Sequence, residues 1–208
     1  MPALPPRPVT LIGQYVTLVP LTAGHLDDLF EAGGRDKGVW RWQGGPAPQT
    51  REELLTRLEG VLTEAGRGTY VPFAVLHRAS GRAVGWTTYL DISVDDERLE
   101  IGWTCHGRAY WRSEVNTETK LLLLGHAFEE LGMGRVQLKT DHRNERSQAA
   151  IARLGAVREG VLRRHRRRPD GSWRDSVHFS LLADEWPAAK ARLTARVEAG
   201  PTERLAAG

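Results

Sequence analysis

The 208-residue sequence predicts an α+β fold, in which one domain holds a mixed, mostly antiparallel, twisted sheet flanked by helices. Three strand-like segments in the middle of the chain are joined by short turns, which is typical of an antiparallel meander. A strand–helix–strand–helix unit follows, and it accounts for the mixed pairing. A hairpin near the C-terminus adds two more strands. With 40% apolar residues and clear periodicity, the composition is that of a globular protein.

The N-terminal third predicts one strand and two helices. Residues 1–10 are rich in proline and are expected to form a flexible lead. Tyr15–Leu21 alternates apolar positions, as in a strand. Thr22 is a suitable N-cap for a first helix, and Thr50 with Glu53 gives the capping-box pattern of a second.

The later elements follow from turn residues, caps and helical spacing. In order, we expect strands over Tyr70–His77, Arg82–Ile92 and Leu99–Cys105; a helix from Asn116 or Thr117 to Gly132; a strand from Arg135; a helix begun by Asn144; a hairpin that turns at Pro169-Asp170-Gly171; and a helix from Asp184 to about Val197.

Composition also excludes several classes of protein. The single cysteine, Cys105, excludes an internal disulfide and fits a reducing compartment. No apolar stretch is long enough for a membrane span, and residues 1–10 lack the apolar core of a signal peptide. We therefore expect a cytoplasmic protein with no membrane partner. The domain is expected over residues 11–198, followed by a loose tail over 199–208.

Two stretches carry a family resemblance. The first contains EIGWT and then WRSEVNTE followed by a run of leucines, and the second contains NERS, AIARLGA and EGVLR. Together they resemble the coenzyme A core of the GNAT acetyltransferase superfamily. They are most similar to its RimJ/RimL-like branch, whose members acetylate N-terminal amines of ribosomal proteins, among other substrates. The resemblance extends from about Gly13 to Trp186 and implies a GNAT-like domain with coenzyme A in the splay between two central strands.

The resemblance also implies a binding site for acetyl-CoA, as a co-substrate and without a metal. Pantetheine would pair with strand backbone, and the pyrophosphate would meet N–H groups at a helix start, where the dipole also favours anions. The implied residues are Ile101, Gly102, Trp103 and Thr104 for the arm, Arg112, Ser113, Glu114, Val115, Asn116 and Thr117 for the pyrophosphate, and Asn144 and Ser147 for pantetheine and the sulfur. Gly102 is equally compatible with tight packing, and Asn144 with a plain N-cap. Arg143 and Arg146 could meet the ribose phosphate, but solvated side chains are the favoured alternative.

Acetyl transfer needs a neutral amine, a stabilised carbonyl oxygen and a leaving thiolate. Glu100 lies near where many family members hold a base carboxylate, and a surface charge at a strand end is the alternative. His165 lies one position before the place of a base glutamate, where this chain has Arg166. The family's tyrosine, which protonates the leaving thiolate, corresponds to Ile151, so Ser147 or water must serve. The phosphate loop also lacks its usual glycines and contains Glu114.

Gly33–Gln49 is expected to be a loop. The family resemblance implies that the acceptor lies between its segment Asp36–Pro46, which carries Trp40 and Trp42, and the basic hairpin Arg163–Asp175. Both tryptophans could equally cover the sheet as a lid. The run RRHRRR would attract an acidic acceptor, although a solvated hairpin is the simpler reading and nucleic acid is not the expected partner. The function implied is acetyl-CoA-dependent N-acetylation of a primary amine, on a protein N-terminus or a small molecule. The alternative is a non-catalytic acyl-CoA-binding or protein-interaction module, and a homodimer remains open.

Overall fold

The structure is a computed structural model that describes residues 2–168 and 170–200. Pro169 of the expected turn and residues 201–208 of the expected tail lie outside this range. Within it the strands are β1 (Leu11–Ile12), β2 (Val16–Pro20), β3 (Val71–His77), β4 (Arg82–Ser93), β5 (Arg98–His106), β6 (Arg135–Asp141), β7 (Val157–Arg167) and β8 (Trp173–Leu182). The α-helices are α1 (Leu26–Leu29), α2 (Lys37–Trp40), α3 (Arg51–Gly66), α4 (Glu114–Gly125), α5 (Glu145–Ala152) and α6 (Trp186–Glu198).

The strands form one sheet in the order β1-β2-β3-β4-β5-β6-β8-β7. Every neighbouring pair is antiparallel except β5 and β6. That parallel pair is short, with Arg98, Leu99 and Glu100 opposite residues 135–137, and the two strands then separate. The structure confirms the predicted mixed, mostly antiparallel sheet, and it places β8 between β6 and β7.

Two hydrophobic cores lie on opposite faces of the sheet. The first packs α4 and α6 against β2 to β6 and β8, with Leu123 and Leu193 fully buried. The second packs α1 and α3 against β3, β4 and β5, around Leu54, Leu58 and Trp86. No buried hydrophobic residue of β6, β7 or β8 in the described range belongs to this second core. The second face of those three strands therefore carries polar side chains, together with the exposed Val157 and Leu162 of β7, which lie opposite Ser180 and Ser176.

Helix α4 begins earlier than expected. Its N-cap is Ser113, whose Oγ accepts a hydrogen bond from Val115 N at 3.4 Å, so Asn116 and Thr117 lie in the first turn rather than at the cap. The prediction of an Asn116 or Thr117 cap is wrong because Ser113 already has the extended backbone and the hydroxyl that a cap requires. Beyond Gly125 the chain continues as a π-helical turn, His126–Glu130.

The N-terminal lead is packed rather than flexible in the described residues. Ala3 is buried, and Leu4 N donates to the carbonyl of Leu131 at 2.8 Å. The expectation of a flexible lead came from its prolines. Proline lacks a backbone donor but does not prevent the residues between prolines from packing.

A buried carboxylate ties α4 to the start of the sheet. Glu118 accepts hydrogen bonds from Gln14 N, Tyr15 N and Val16 N at 2.6–2.7 Å. These three donors lie between β1 and β2 or at the start of β2. The contact fixes the coenzyme-binding helix of the predicted site against the N-terminal strands.

The predicted loop at 33–49 contains a short helix. Asp36 caps α2 through its side chain, which accepts from Gly38 N at 2.8 Å. Thr50 caps α3 as predicted, accepting from Glu53 N at 3.2 Å, whereas the Glu53 carboxylate accepts from Gln49 N. None of the helices within residues 2–168 and 170–200 combines the length and apolarity needed to cross a bilayer.

Candidate active site

A gap opens in the sheet where β5 leaves β6. Parallel pairing stops at Glu100, and the β4–β5 register shifts between Trp86 and Thr88. Trp103, opposite this shift, has a left-handed φ of 50°. A bulge of this kind redirects the backbone and interrupts the ladder. On the β6 side, the β5 backbone beyond Glu100 has no strand partner in the described residues, so it can pair with an extended ligand.

The residues predicted to bind the pantetheine arm line this gap, and two of them, Gly102 and Thr104, have close neighbours within the protein. The Thr104 carbonyl accepts from Gln43 Nε2 at 3.0 Å, so one strand acceptor is in use. A Cβ on Gly102 would lie 2.8 Å from Glu100 Oε1 and 3.0 Å from Leu90 Cδ2. Both atoms are ends of flexible side chains that can move aside, so the packing and the ligand-approach interpretations of Gly102 stay open.

The start of α4 carries the N–H groups predicted for the pyrophosphate. N–H groups in a first turn have no intrahelical partner, and the dipole adds positive potential. Arg112, with φ of 61°, precedes the Ser113 cap. The Arg146 guanidinium lies 3.5 Å from the Trp111 ring centre, and the residue is exposed, as the solvated interpretation expects. Partial desolvation of the guanidinium, followed by the charges of Arg108 and Arg112, lowers its pKa.

Arg108 differs from Arg112 and Arg146 because it already forms an ion pair. Its guanidinium donates two hydrogen bonds of 2.6 Å to Asp36, at the cap of α2. This contact lowers the pKa of Asp36 to about 2. Arg108 therefore connects the helix α2 segment to the edge of the site, and Arg112 and Arg146 are better placed to meet phosphate charge.

A lysine is buried beneath the first turns of α4. Lys120 is 5% exposed, and its Nζ donates to Thr104 Oγ1 at 2.7 Å. Burial lowers its pKa to about 7. The Thr104 hydroxyl also contacts Thr87 Oγ1 at 2.8 Å. His106 lies nearby; burial and then Lys120 lower its pKa to about 3.

Helix α5 begins as the sequence predicts. Asn144 Oδ1 accepts from Ser147 N at 3.1 Å, which confirms the N-cap. The same contact places Ser147 in the first turn of α5. Ile151 is buried in the first core, so its position offers no hydroxyl to a leaving thiolate.

Glu100 is buried rather than exposed at the strand end. It is 2% exposed, and its Oε2 accepts from Lys139 Nζ at 2.6 Å and from Gln137 Nε2 at 3.1 Å. The alternative of a surface charge is wrong, because β6 pairs directly alongside. Glu100 lies at the point where β5 and β6 separate, which is the place the family resemblance gives to a base.

The other base candidate, His165, lies two strands away from Lys139. Its ring centre is 5.6 Å from that of His178, and His178 is the cross-strand neighbour of Lys139. Burial, followed by nearby cations, lowers the pKa of both histidines. Both are therefore neutral at pH 7, as a proton acceptor must be.

The two tryptophans assigned to the acceptor wall have different environments. Trp40 is 4% exposed, packs 5.7 Å from Trp86 by ring centres, and donates from Nε1 to Gly33 O at 3.0 Å. The acceptor role predicted for Trp40 is wrong, because its ring is part of the second core. Trp42 is half-buried beside Arg41, at 4.9 Å, and stays a candidate.

The basic hairpin is only partly solvated. Arg168 binds the buried Asp141 with two hydrogen bonds, of 2.7 and 2.9 Å. Arg164 lies over the exposed Trp173 ring at 4.6 Å. The ion pair with Asp141 fastens the end of the β7–β8 hairpin to β6, beside the gap.

Sequence reasoning missed three residues near the gap: Lys139, Arg174 and His178. Alternation in β8 was the available signal, since polar residues 174, 176, 178 and 180 alternate with apolar 177, 179 and 181. Their closeness to Glu100 depends on the insertion of β8 beside β6, which no local pattern encodes.

A parallel strand pair that separates beside a capped helix start is the arrangement in which the GNAT resemblance places coenzyme A. The model of the acetyltransferase (GNAT) domain matches residues 16–157. This chain belongs to the GNAT acetyltransferase family, and acetyl-CoA is the co-substrate of that family.

Known proteins agree with this assignment. An acetyltransferase structure from T. thermophilus is 43% identical, with a TM-score of 0.83 over 92% of this chain and 98% of that one. A GCN5-related N-acetyltransferase from Brucella melitensis is 31% identical, with a TM-score of 0.87 over 93% and 87%. YdaF of Bacillus subtilis, named as a ribosomal N-acetyltransferase, is 38% identical over 110 residues, 53% of this chain and 59% of its own length. The last relative supports the RimJ/RimL-like resemblance.

Proposed function

We propose that this chain is an N-acetyltransferase that moves the acetyl group of acetyl-CoA directly to a primary amine. The observation that carries the proposal is the gap beyond Glu100, with the α4 start and Arg112 at its far end. The names of the relatives, an N-acetyltransferase and a ribosomal N-acetyltransferase, support nitrogen as the acceptor atom.

The residues of the gap fit coenzyme A. Backbone of residues 101–104 would pair with the pantetheine arm, since β6 leaves that edge free in the described residues. N–H groups of residues 112–117, with Arg112 and Arg146, would bind the phosphates. Asn144 and Ser147, at the start of α5, would face the arm from the other side. When bound, acetyl-CoA supplies a thioester as the acyl donor.

The chain's own contribution is to deprotonate the amine and to hold it. Glu100, at the separation point, accepts the proton of the amine, and Lys139, whose Nζ donates to Glu100 Oε2 at 2.6 Å, orients this carboxylate. An α-amine has a pKa of about 8, so it requires only a weak base near neutral pH. His165 is the second base candidate. Ser147 or water returns a proton to the thiolate, because Ile151 cannot.

Two observations favour a non-catalytic acyl-CoA-binding module as the second candidate. Ile151 is buried in the core, and the Glu100 carboxylate is already engaged by Lys139. Such a module would bind acetyl-CoA without transferring its acyl group.

One experiment separates the two candidates. The protein is incubated with acetyl-CoA and a panel of amines, polyamines and short peptides, and free coenzyme A is measured. Amine-dependent release supports the enzyme; binding without release supports the module. Binding is followed by thermal unfolding, since ligand at about 100 times its Kd adds roughly 2.7 kcal/mol to stability. An unchanged Tm at millimolar acetyl-CoA would contradict both.

A further inference from the structure

The second face of β6 and β8 holds a group of polar side chains that no helix of the second core covers. Arg174, Ser176 and His178 occupy alternate positions of β8, so they share one face. Lys139 of β6 is the direct neighbour of His178, and His165 of β7 lies on its other side. We call the group Arg174, Ser176, His178 and His165 the β8 polar surface.

Four buried atoms of the β8 polar surface have no hydrogen-bond partner among residues 2–168 and 170–200. They are Arg174 Nε, Ser176 Oγ, His178 Nε2 and His165 Nδ1. Buried polar atoms are normally paired, because an unsatisfied one is costly. Unpaired atoms that gather on one surface therefore point to a group from outside the chain.

Charge indicates what kind of group this is. Both nearby carboxylates are already paired, Glu100 with Lys139 at 2.6 Å and Asp141 with Arg168 at 2.7 Å. Burial lowers the pKa of Arg174; Asp141 and Glu100 oppose this change, whereas Arg166, its neighbour on β7, and Arg168 add to it. Neither Arg174 nor Arg166 forms an ion pair within residues 2–168 and 170–200, so both bring unpaired positive charge to this surface.

The histidines fit the same kind of ligand. Burial, and then the surrounding cations, lowers the pKa of both rings, so each is neutral at pH 7 and can donate one hydrogen bond. Ser176 can donate another. An anion with several acceptor lone pairs, such as a carboxylate, matches a guanidinium with neutral donors around it.

The surface continues into the proposed catalytic site. The pKa values of Arg174 and His178 are both lowered. Glu100 is close enough to each of these side chains for its charge to oppose part of this change. An amine beside Glu100 would therefore have its own substituent near Arg174.

We propose that the β8 polar surface binds a carboxylate of the acceptor through Arg174, so that the preferred acceptor is an amine with an acid group nearby, such as an N-terminal aspartate or glutamate. This inference rests on the proposed function, since it assumes that an amine reaches Glu100. It adds the acid group as the feature that selects the acceptor.

The test compares two ligands that differ only in a carboxylate. Binding of N-acetyl-aspartyl-alanine amide and N-acetyl-asparaginyl-alanine amide, which are product analogues, is measured by titration calorimetry and requires no turnover. Coenzyme A release is then measured with the two free-amine dipeptides. The variants are Arg174→Gln and Arg174→Lys, with Arg196→Gln as a control that removes an exposed arginine from α6, outside the expected acceptor site.

We expect the wild type to bind the acid about tenfold or more tightly than the amide, as for a charge-assisted contact. Arg174→Gln should reduce this preference below about twofold. Arg174→Lys should keep part of it, since lysine lacks the planar fork, and Arg196→Gln should keep it all. The Tm of each variant shows whether it folds. If Arg174→Gln does not fold, the comparison with the wild type is made with Arg174→Lys.

Three results would overturn the inference: no preference in the wild type, a preference that survives in Arg174→Gln, or a preference lost equally in Arg196→Gln. Failure of the proposed function looks different. In that case the calorimetric preference would remain while neither dipeptide released coenzyme A.

Discussion

The buried Lys120 should make the stability of the protein depend on pH in a specific direction. Its pKa is 10.5 in an exposed setting and about 7 in the folded chain. Between these values the unfolded state holds a proton that the folded state has released, so the free energy of unfolding rises with pH. At about 1.4 kcal/mol per pKa unit, Lys120 costs the folded state about 4 kcal/mol at pH 7, falling to about 2 kcal/mol at pH 9.

Lys120→Met removes the charge and keeps the length of the side chain. The variant should therefore gain stability over the wild type at pH 7, with the gain shrinking by about 2 kcal/mol at pH 9. Thr104 retains its contact with Thr87, which limits other losses. Urea unfolding followed by tryptophan fluorescence measures both proteins, and Lys37→Met, at an exposed position, is the matched control. A difference between variant and wild type that does not change with pH would refute the reasoning.

Three further predictions concern the site. Glu114→Gly should change acetyl-CoA affinity less than about threefold in calorimetry, because the helix start acts through backbone N–H groups; a tenfold gain, about 1.4 kcal/mol, would show that the carboxylate faces the phosphates. Glu100→Gln should lower turnover more than His165→Gln in a coenzyme A release assay, because Glu100 lies where β5 and β6 separate; wild-type rates in both would leave water as the base. Trp42→Ala should raise the KM for the acceptor with that for acetyl-CoA within about twofold, whereas Trp40→Ala should cost about 3–5 kcal/mol of stability in urea unfolding. A Trp42→Ala variant with normal kinetics and a Tm several degrees lower would place Trp42 in the core.

Most elements could be predicted because their signals are local. The strands β3, β4 and β5, the Asn144 cap and the β7–β8 hairpin each follow from alternation, a capping side chain or a turn within a few residues. The α4 start was missed because three capping residues compete within five positions, and only backbone conformation selects Ser113. Strand β1, with two residues, is too short for any periodic signal.

The candidate site was less predictable because it is assembled by strand order. Motifs located the coenzyme strand and both helix starts. The ion pair of Glu100 and Lys139 needs β6 beside β5, and the nearness of His178 needs β8 inserted before β7. The burial of Trp40 likewise depends on Trp86 of β4, which a glycine-rich local sequence does not reveal.

The contact between Glu118 and the N-terminal strands has a consequence for synthesis. The three N–H groups and their carboxylate are separated by 102 to 104 residues in the chain. At 5–20 residues per second, the ribosome makes the acceptor roughly 5–20 s after the donors. During this interval β2 can pair with β1 and β3, so we expect these three N–H groups, rather than the strands, to lack their partner until α4 has emerged.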